Sequence, residues 1–205
     1  MVCLSSAAVY GQPDPEEMPL REDSALAPVS PYGEAKLAME GFCDEAGADA
    51  GTRIALVRAF NLVGPGQPAY NAASALARQI AAAEREGRAE AELSLGNPGA
   101  ARDLVDVRDA ARALVALTSS GLVGTFNLCS GQAHSVAELA AGLADATPLR
   151  ISTRVDPALA RPADPSLLLG DPARLQAASG FAPEIPLQRS LADLLEWWRA
   201  EPASA

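Results

Sequence analysis

Three short runs, Met1–Ser6 (MVCLSS), Arg53–Phe60 (RIALVRAF) and Gly124–Cys129 (GTFNLC), are largely apolar on successive residues instead of alternating. A strand with one wet face alternates, whereas a continuously apolar strand needs cover on both faces. That cover is what a parallel sheet between layers of helix provides. Helical signals fill the intervals. Ser30-Pro31 supplies an N-cap and a first-turn proline for a helix to about Gly47. Ala72–Glu86 is alanine-rich, and Val107–Thr118 places Val107, Ala111, Leu114 and Leu117 on one face. Ser135 with Glu138 makes a capping box for a helix to about Asp145. Asp171-Pro172 caps a further short helix, and Leu187–Arg199 turns Leu191, Leu194, Leu195 and Trp198 inward. Further strands are expected at Ala89–Leu95, Arg102–Val105 and Arg150–Val155. Gly11–Pro28, Asn61–Gln67, Gly96–Gly99 and Ala158–Pro165 read as loops and turns. The expectation is an α/β fold with a parallel sheet and a smaller C-terminal lobe.

Composition narrows the function. The net charge of -10 makes phosphate neutralisation along a nucleic acid a poor fit, so no nucleic-acid partner is expected. No run approaches the ~18 apolar residues of a membrane span, so no membrane is expected. Met1–Tyr10 lacks the basic and long apolar regions of a signal peptide. Cys3, Cys43 and Cys129 are odd in number and far apart, which argues against a disulfide framework and for a cytoplasmic location. The single histidine, His134, reads as a surface or cap residue; one histidine cannot supply a His-based metal site, and it argues against a hydrolase triad.

Tyr32 and Lys36 stand four residues apart on the helix capped by Ser30, hence on one face. An ammonium beside a phenol favours the phenolate, which suits proton transfer to or from a carbonyl or alcohol. Lys36 is the only lysine among 16 basic residues, and an ammonium is not interchangeable with a guanidinium. Ser5 and Ser6 end the first strand, where ligands bind in parallel sheets.

Six segments then appear in order: Ser5–Gly11 (SSAAVYG), Ser30–Lys36 (SPYGEAK), Arg58–Gln67 (RAFNLVGPGQ), Arg102–Asp109 (RDLVDVRD), Phe126–Gly131 (FNLCSG) and Arg161–Asp164 (RPAD). Together they resemble the extended short-chain dehydrogenase/reductase family of nucleotide-sugar epimerases, dehydratases and reductases. The resemblance implies a partial Rossmann-type sheet from 1–60 and 100–131, with a substrate-binding lobe from 61–99 and 132–200. It implies catalytic roles for Ser6, Tyr32 and Lys36, and NADP or NAD held by Ser5, Tyr32, Lys36, Phe60 and Leu62. It implies a nucleotide-diphosphate sugar held by Asn61, Arg102 and Arg161, and guanidinium forks do suit phosphate oxygens. A homodimer through the Pro31–Gly47 helix is implied as well. Family dehydratases carry an acidic residue where Ala7 stands, which disfavours dehydration. Arg102–Asp109, Gly170-Asp171-Pro172 and Glu184–Leu187 most resemble GDP-4-keto-6-deoxy-mannose reductases. A nucleotide-sugar 4-epimerase is the alternative, and a non-catalytic sugar-nucleotide-binding module is a second.

The family pattern begins with a strand, a G-x-x-G-x-x-G turn that cradles a pyrophosphate, and a helix. This sequence contains no such turn and opens on what resembles a middle strand. The expectation is therefore an N-terminally truncated chain, incomplete as an enzyme, with the dinucleotide-binding start missing.

Overall fold

The computed structural model describes residues 1–160 and 165–202. Its first sheet contains the three apolar runs. Strands β1 (Val2–Ser6), β2 (Ala55–Ala59) and β6 (Gly124–Leu128) lie side by side in that order, all parallel, with Leu4 opposite Val57 and Val57 opposite Phe126. Helix α1 (Pro31–Ala50) packs along β1, and its cap is as the sequence requires: Ser30 Oγ accepts from Gly33 N, with Pro31 at the first helical position. Helix α3 (Val107–Ser120) packs behind the sheet, where Ala110, Ala113 and Leu117 join Val57, Phe126 and Leu128 in one core. That face differs from the expected one. Val107 and Ala111 are exposed, because capping by Asp106 turns Asp109 and Ala110 inward.

Two smaller sheets follow. Strands β3 (Asn61–Val63), β5 (Ala101–Asp106) and β7 (Ala133–Ser135) form a mixed sheet, with β9 (Leu167–Leu168) also on β5. The Asn61–Gln67 segment is therefore part strand, since Asn61–Val63 pairs with β5 before Gly64 turns the chain. His134 lies half-buried in β7 opposite Arg102, neither a surface nor a cap residue. Strands β4 (Glu90–Leu95) and β8 (Arg150–Val155) form a parallel pair. Helices α2 (Ala72–Arg85), α4 (Val136–Ala144) and α6 (Leu187–Ala200) enclose the lobe's core around Ile80, Leu93, Leu143 and Leu194. The short α5 (Ala173–Ser179) covers β6, with Leu175 in the core behind the first sheet. The sheet of β3, β5, β7 and β9 draws strands from both sides of the division expected from the sequence.

Candidate active site

The C-terminal end of β1 and the first turns of α1 bring the sequence-predicted trio into one neighbourhood. Lys36 Nζ donates to Leu4 O at 2.8 Å, so the ammonium is tethered to the strand itself. The same ammonium stands 5.8 Å from the centre of the Tyr32 ring, and Tyr32 is 57% exposed. Ser6 ends the strand, half-buried, and its Oγ accepts from Ala8 N at 3.2 Å. The helix can come this close because residue 33 is glycine. A Cβ there would lie 2.7 Å from Ala8 O and 2.9 Å from Pro28 Cβ.

Ser5 faces the other way. It is 2% exposed and donates to Glu40 Oε1, so its hydroxyl belongs to a buried network and is not a free group at the strand end. Glu40 on α1 accepts from Arg58 Nε and Nη2, the latter at 2.7 Å, with both residues buried. Arg58 also donates to Tyr10 Oη and Glu22 O, and Tyr10 donates to Asn127 Oδ1. Burial raises the Tyr10 phenol above its usual range, only partly offset by the Arg58 guanidinium and Asn127. Burial pulls Arg58 down, but its bonds to Glu40 and Tyr10 outweigh this and hold it firmly cationic. The network fixes α1 to β2, and so fixes the helix that carries Tyr32 and Lys36.

The second feature is a cavity of about 620 Å3 between α2, β5 and the ends of β4 and β8. Asn61 and Arg102, two of the three residues expected to hold a diphosphate, line it together. The third, Arg161, lies outside the described residues. Of the two residues expected near a nicotinamide, Phe60 is buried against Tyr10 and Cys129, and Leu62 is half-buried at the edge of the core behind the first sheet. The sequence reading missed Arg78, which faces the cavity from α2. Among the described residues it is the one arginine with no hydrogen bond, ion pair or ring contact. Its setting, an alanine-rich helix, carried no signal that distinguished it from a solvated cation.

Arg102–Asp109 has a structural as well as a cavity-lining part. Asp103, fully buried, accepts from Ser130 N and Oγ at 2.7 Å and Gly131 N at 2.9 Å, and thereby pins the turn after β6. Burial raises its carboxyl above the usual range despite these bonds. Asp106 is also buried, which alone would raise it. Bonds from Arg108 and Ser190 win, and the carboxyl is lowered. Asp109 accepts from Glu184 N and Ile185 N, tying α3 to the segment before α6. Burial pushes the Cys129 thiol up, and pushes Cys43, beside Cys3, up to about 11. Among the described residues no group of three or more His, Cys, Asp or Glu is placed to hold a metal ion. No described helix is long and apolar enough to cross a membrane.

A parallel Rossmann-type sheet whose strand end meets a helix bearing Tyr32 and Lys36 defines the class: an extended short-chain dehydrogenase/reductase. Within that class, a family model matches residues 1–194, and the chain belongs to the GDP-mannose 4,6 dehydratase family. It is 36% identical to GDP-6-deoxy-D-mannose reductase of Pseudomonas aeruginosa, over 96% of this chain and 65% of that protein. The Pseudomonas aeruginosa RMD solved with NADPH superposes with a TM-score of 0.90 at 34% identity, over 97% of this chain and 66% of that one. UDP-glucose 4-epimerase of Thermus thermophilus, solved with NAD, superposes at 0.82 with 25% identity, over 97% of this chain and 63% of that one. The chain thus spans just under two thirds of the length of these relatives.

Proposed function

We propose that this chain carries the catalytic and substrate-binding part of a nucleotide-sugar oxidoreductase that reduces a GDP-4-keto-6-deoxy sugar. The single observation that carries the reading is the Lys36–Leu4 bond at 2.8 Å, which holds an ammonium beside Tyr32 where β1 ends at Ser6. In this reading Tyr32 delivers the proton to the substrate's C4 oxygen. Ser6 donates a hydrogen bond to the same oxygen and orients it. Lys36 keeps two ammonium protons beyond the one given to Leu4, enough for a ribose hydroxyl and for electrostatic support of Tyr32. Asn61, Arg78 and Arg102 hold the diphosphate, with Arg161 as a further candidate. Arg78 adds a guanidinium that the acidic chain leaves unneutralised.

The trio suits a nicotinamide. The Tyr32 ring is open to solvent, and Phe60 and Leu62 follow the end of the neighbouring strand. NADP or NAD would be bound in its reduced form, NADPH or NADH, which supplies the hydride. Tyr32 and Lys36 would hold its ribose, and Phe60 and Leu62 would flank its ring; Ser5, bonded to Glu40, takes no part. The three unpaired cysteines suit a cytoplasmic enzyme, and the exposed face of α1 suits a homodimer. A 4-epimerase would use the same three residues, and product analysis separates the two.

The test is titration of the purified chain with NADPH, NADH and GDP-mannose, followed by nicotinamide oxidation in the presence of the keto sugar. The expected result is GDP-mannose binding by the chain. Any turnover should fall at least about 100-fold in Tyr32→Phe, the scale of a lost general acid. Failure of GDP-mannose to bind, or turnover indifferent to Tyr32→Phe, overturns the reading.

A further inference from the structure

Helix α1 meets β1 in a register that continues beyond the catalytic trio. Gly33 stands against Ala8, and Glu40 accepts from Ser5, so residue numbers rise along the helix as they fall along the strand. Two residues back from Ser5, on the same face of β1, is Cys3. Three residues on from Glu40, on the same face of α1, is Cys43. The series therefore closes on a pair of cysteines. Cys3 packs against the small cluster of Cys43, Ile54 and Leu56. The two thiols are near enough to interact, since burial first, and then Cys3 itself, push the Cys43 thiol up to about 11. We propose that Cys3 and Cys43 are a redox modification site, a disulfide between β1 and α1 that is made and broken by exchange with small-molecule disulfides.

A disulfide joins Cβ atoms about 4 Å apart, a spacing that only side chains packed directly on each other reach. Cys3 and Cys43 come from facing elements that the Ser5–Glu40 bond already holds together, one step away on each. The pair also has the asymmetry that exchange needs. Cys3 is half-buried and can be reached from solvent, whereas Cys43 is buried and can be reached only from Cys3. Cys129 serves as an internal contrast: it is buried in a different cluster, with Tyr10 and Phe60. In a reducing compartment such a bond is transient and redox-sensing, in contrast to a permanent framework. The loop that it closes contains Ser6, Tyr32 and Lys36, so oxidation clamps the helix carrying Tyr32 and Lys36 to the strand that ends at Ser6.

The chemistry proceeds in two exchanges. Cys3 Sγ, having lost its proton, attacks one sulfur of the small disulfide. The S–S bond breaks, one half leaves as a thiolate that takes up the proton, and a mixed disulfide remains on Cys3. Cys43 Sγ then loses its proton and attacks Cys3 Sγ, expelling the second half as another thiol. Two protein thiols are oxidised, and the small disulfide is reduced to two thiols. The raised Cys43 thiol is a poor first attacker, which gives that role to Cys3. Part of its rise is due to Cys3 and is lifted once Cys3 is in the mixed disulfide, and the second exchange gains from being intramolecular.

Incubation of the folded full chain with oxidised glutathione, followed by alkylation and tryptic mapping without reductant, tests this. Trypsin releases Cys3 in Met1–Arg21, Cys43 in Leu37–Arg53 and Cys129 in Ala113–Arg150. The expected product is Met1–Arg21 joined to Leu37–Arg53, two hydrogens lighter than their sum, with Cys129 alkylated. Dithiothreitol should separate the two peptides again. The oxidised chain should melt roughly 5–15 °C higher than the reduced one, the scale for closing a loop of this length in a protein of this size. Cys43→Ser should stop at glutathione on Cys3 and show no such rise. A parent chain that keeps all its thiols, that stops at the mixed disulfide on Cys3, or that joins Met1–Arg21 to a second copy of itself or to Ala113–Arg150 would overturn the proposal. So would a cross-linked chain that melts below the reduced one, because the bond would then distort the packing that is argued to accommodate it.

Discussion

Removing the Glu40 carboxylate should destabilise the protein more than any other single change on α1. Glu40 is 4% exposed and Arg58 5%, and the pair is closed by three hydrogen bonds between them. Glu40→Ala leaves a guanidinium buried with only Tyr10 Oη and Glu22 O for partners, and leaves Ser5 Oγ without its acceptor. Breaking a buried pair from one side costs about 3–5 kcal/mol. For a chain of this size that lowers the melting temperature by roughly 6–20 °C. Thermal melts followed by far-ultraviolet circular dichroism measure it directly. The double variant Glu40→Leu with Arg58→Met removes both charges and should recover most of the loss, because apolar replacement of a whole buried pair is close to neutral. A Glu40→Ala melt within about 1 kcal/mol of the parent, or a double variant no more stable than the single one, would refute the reasoning. The change also has a functional reading. Lys36 bonds to Leu4 and Glu40 to Ser5, consecutive residues of β1, so loosening the second attachment loosens the helix that carries the first.

Other consequences follow from the same geometry. Gly33→Ala forces a methyl to within 2.7 Å of Ala8 O, so it should destabilise by about 1–3 kcal/mol. It should also lower turnover by displacing Tyr32, measurable by kinetics beside a melt. Glu84 is held below the usual carboxylate range, chiefly by its bonds from Arg199, with burial opposing. A carboxyl depressed on folding stabilises above its unfolded value and loses that contribution as pH falls through its folded value. Urea titrations from neutral pH downward should therefore show acid destabilisation, and Glu84→Gln should reduce that slope while costing about 1–3 kcal/mol at neutral pH. Asp103→Asn places an amide N–H against Ser130 N or Gly131 N and should unpin the turn after β6. Faster amide exchange at Gly131 would report it.

The elements that a sequence shows best are those whose own residues decide them. The three apolar runs became the parallel sheet, and the caps at Ser30 and Ser135 opened their helices, because apolar cover and capping oxygens act locally. β3, β7 and β9 were not legible. Strands of two or three residues have no periodicity, and Asn61–Val63 runs straight into a Gly-Pro-Gly turn that dominates the local signal. The inward face of α3 was misjudged for a related reason. Apolar spacing favours Val107 and Ala111, but Asp109 is drawn inside by the backbone N–H groups of Glu184 and Ile185, which are 75 and 76 residues away in sequence.

The candidate site divides along the same line. Tyr32 and Lys36 were legible because a four-residue step on a helix is a statement about space. That step continues to Glu40, so the anchor of the helix was equally available to a reader who extended it by one turn. Asp103, Asp106 and Asp109 were not available in this way. Three acids at steps of three in an acidic chain read as a solvated face, yet all three are buried. Each is stabilised there by donors from a distant turn, a distant helix or a neighbouring guanidinium, and charge count contains no trace of those donors. Arg78 is the inverse case. Fourteen other arginines give no local reason to single it out, and its candidacy comes from what surrounds it: a cavity wall, and no ion pair with a described carboxylate. Where a chain buries its acids against backbone donors and leaves a cation open, the open cation is the better pointer to an anionic ligand.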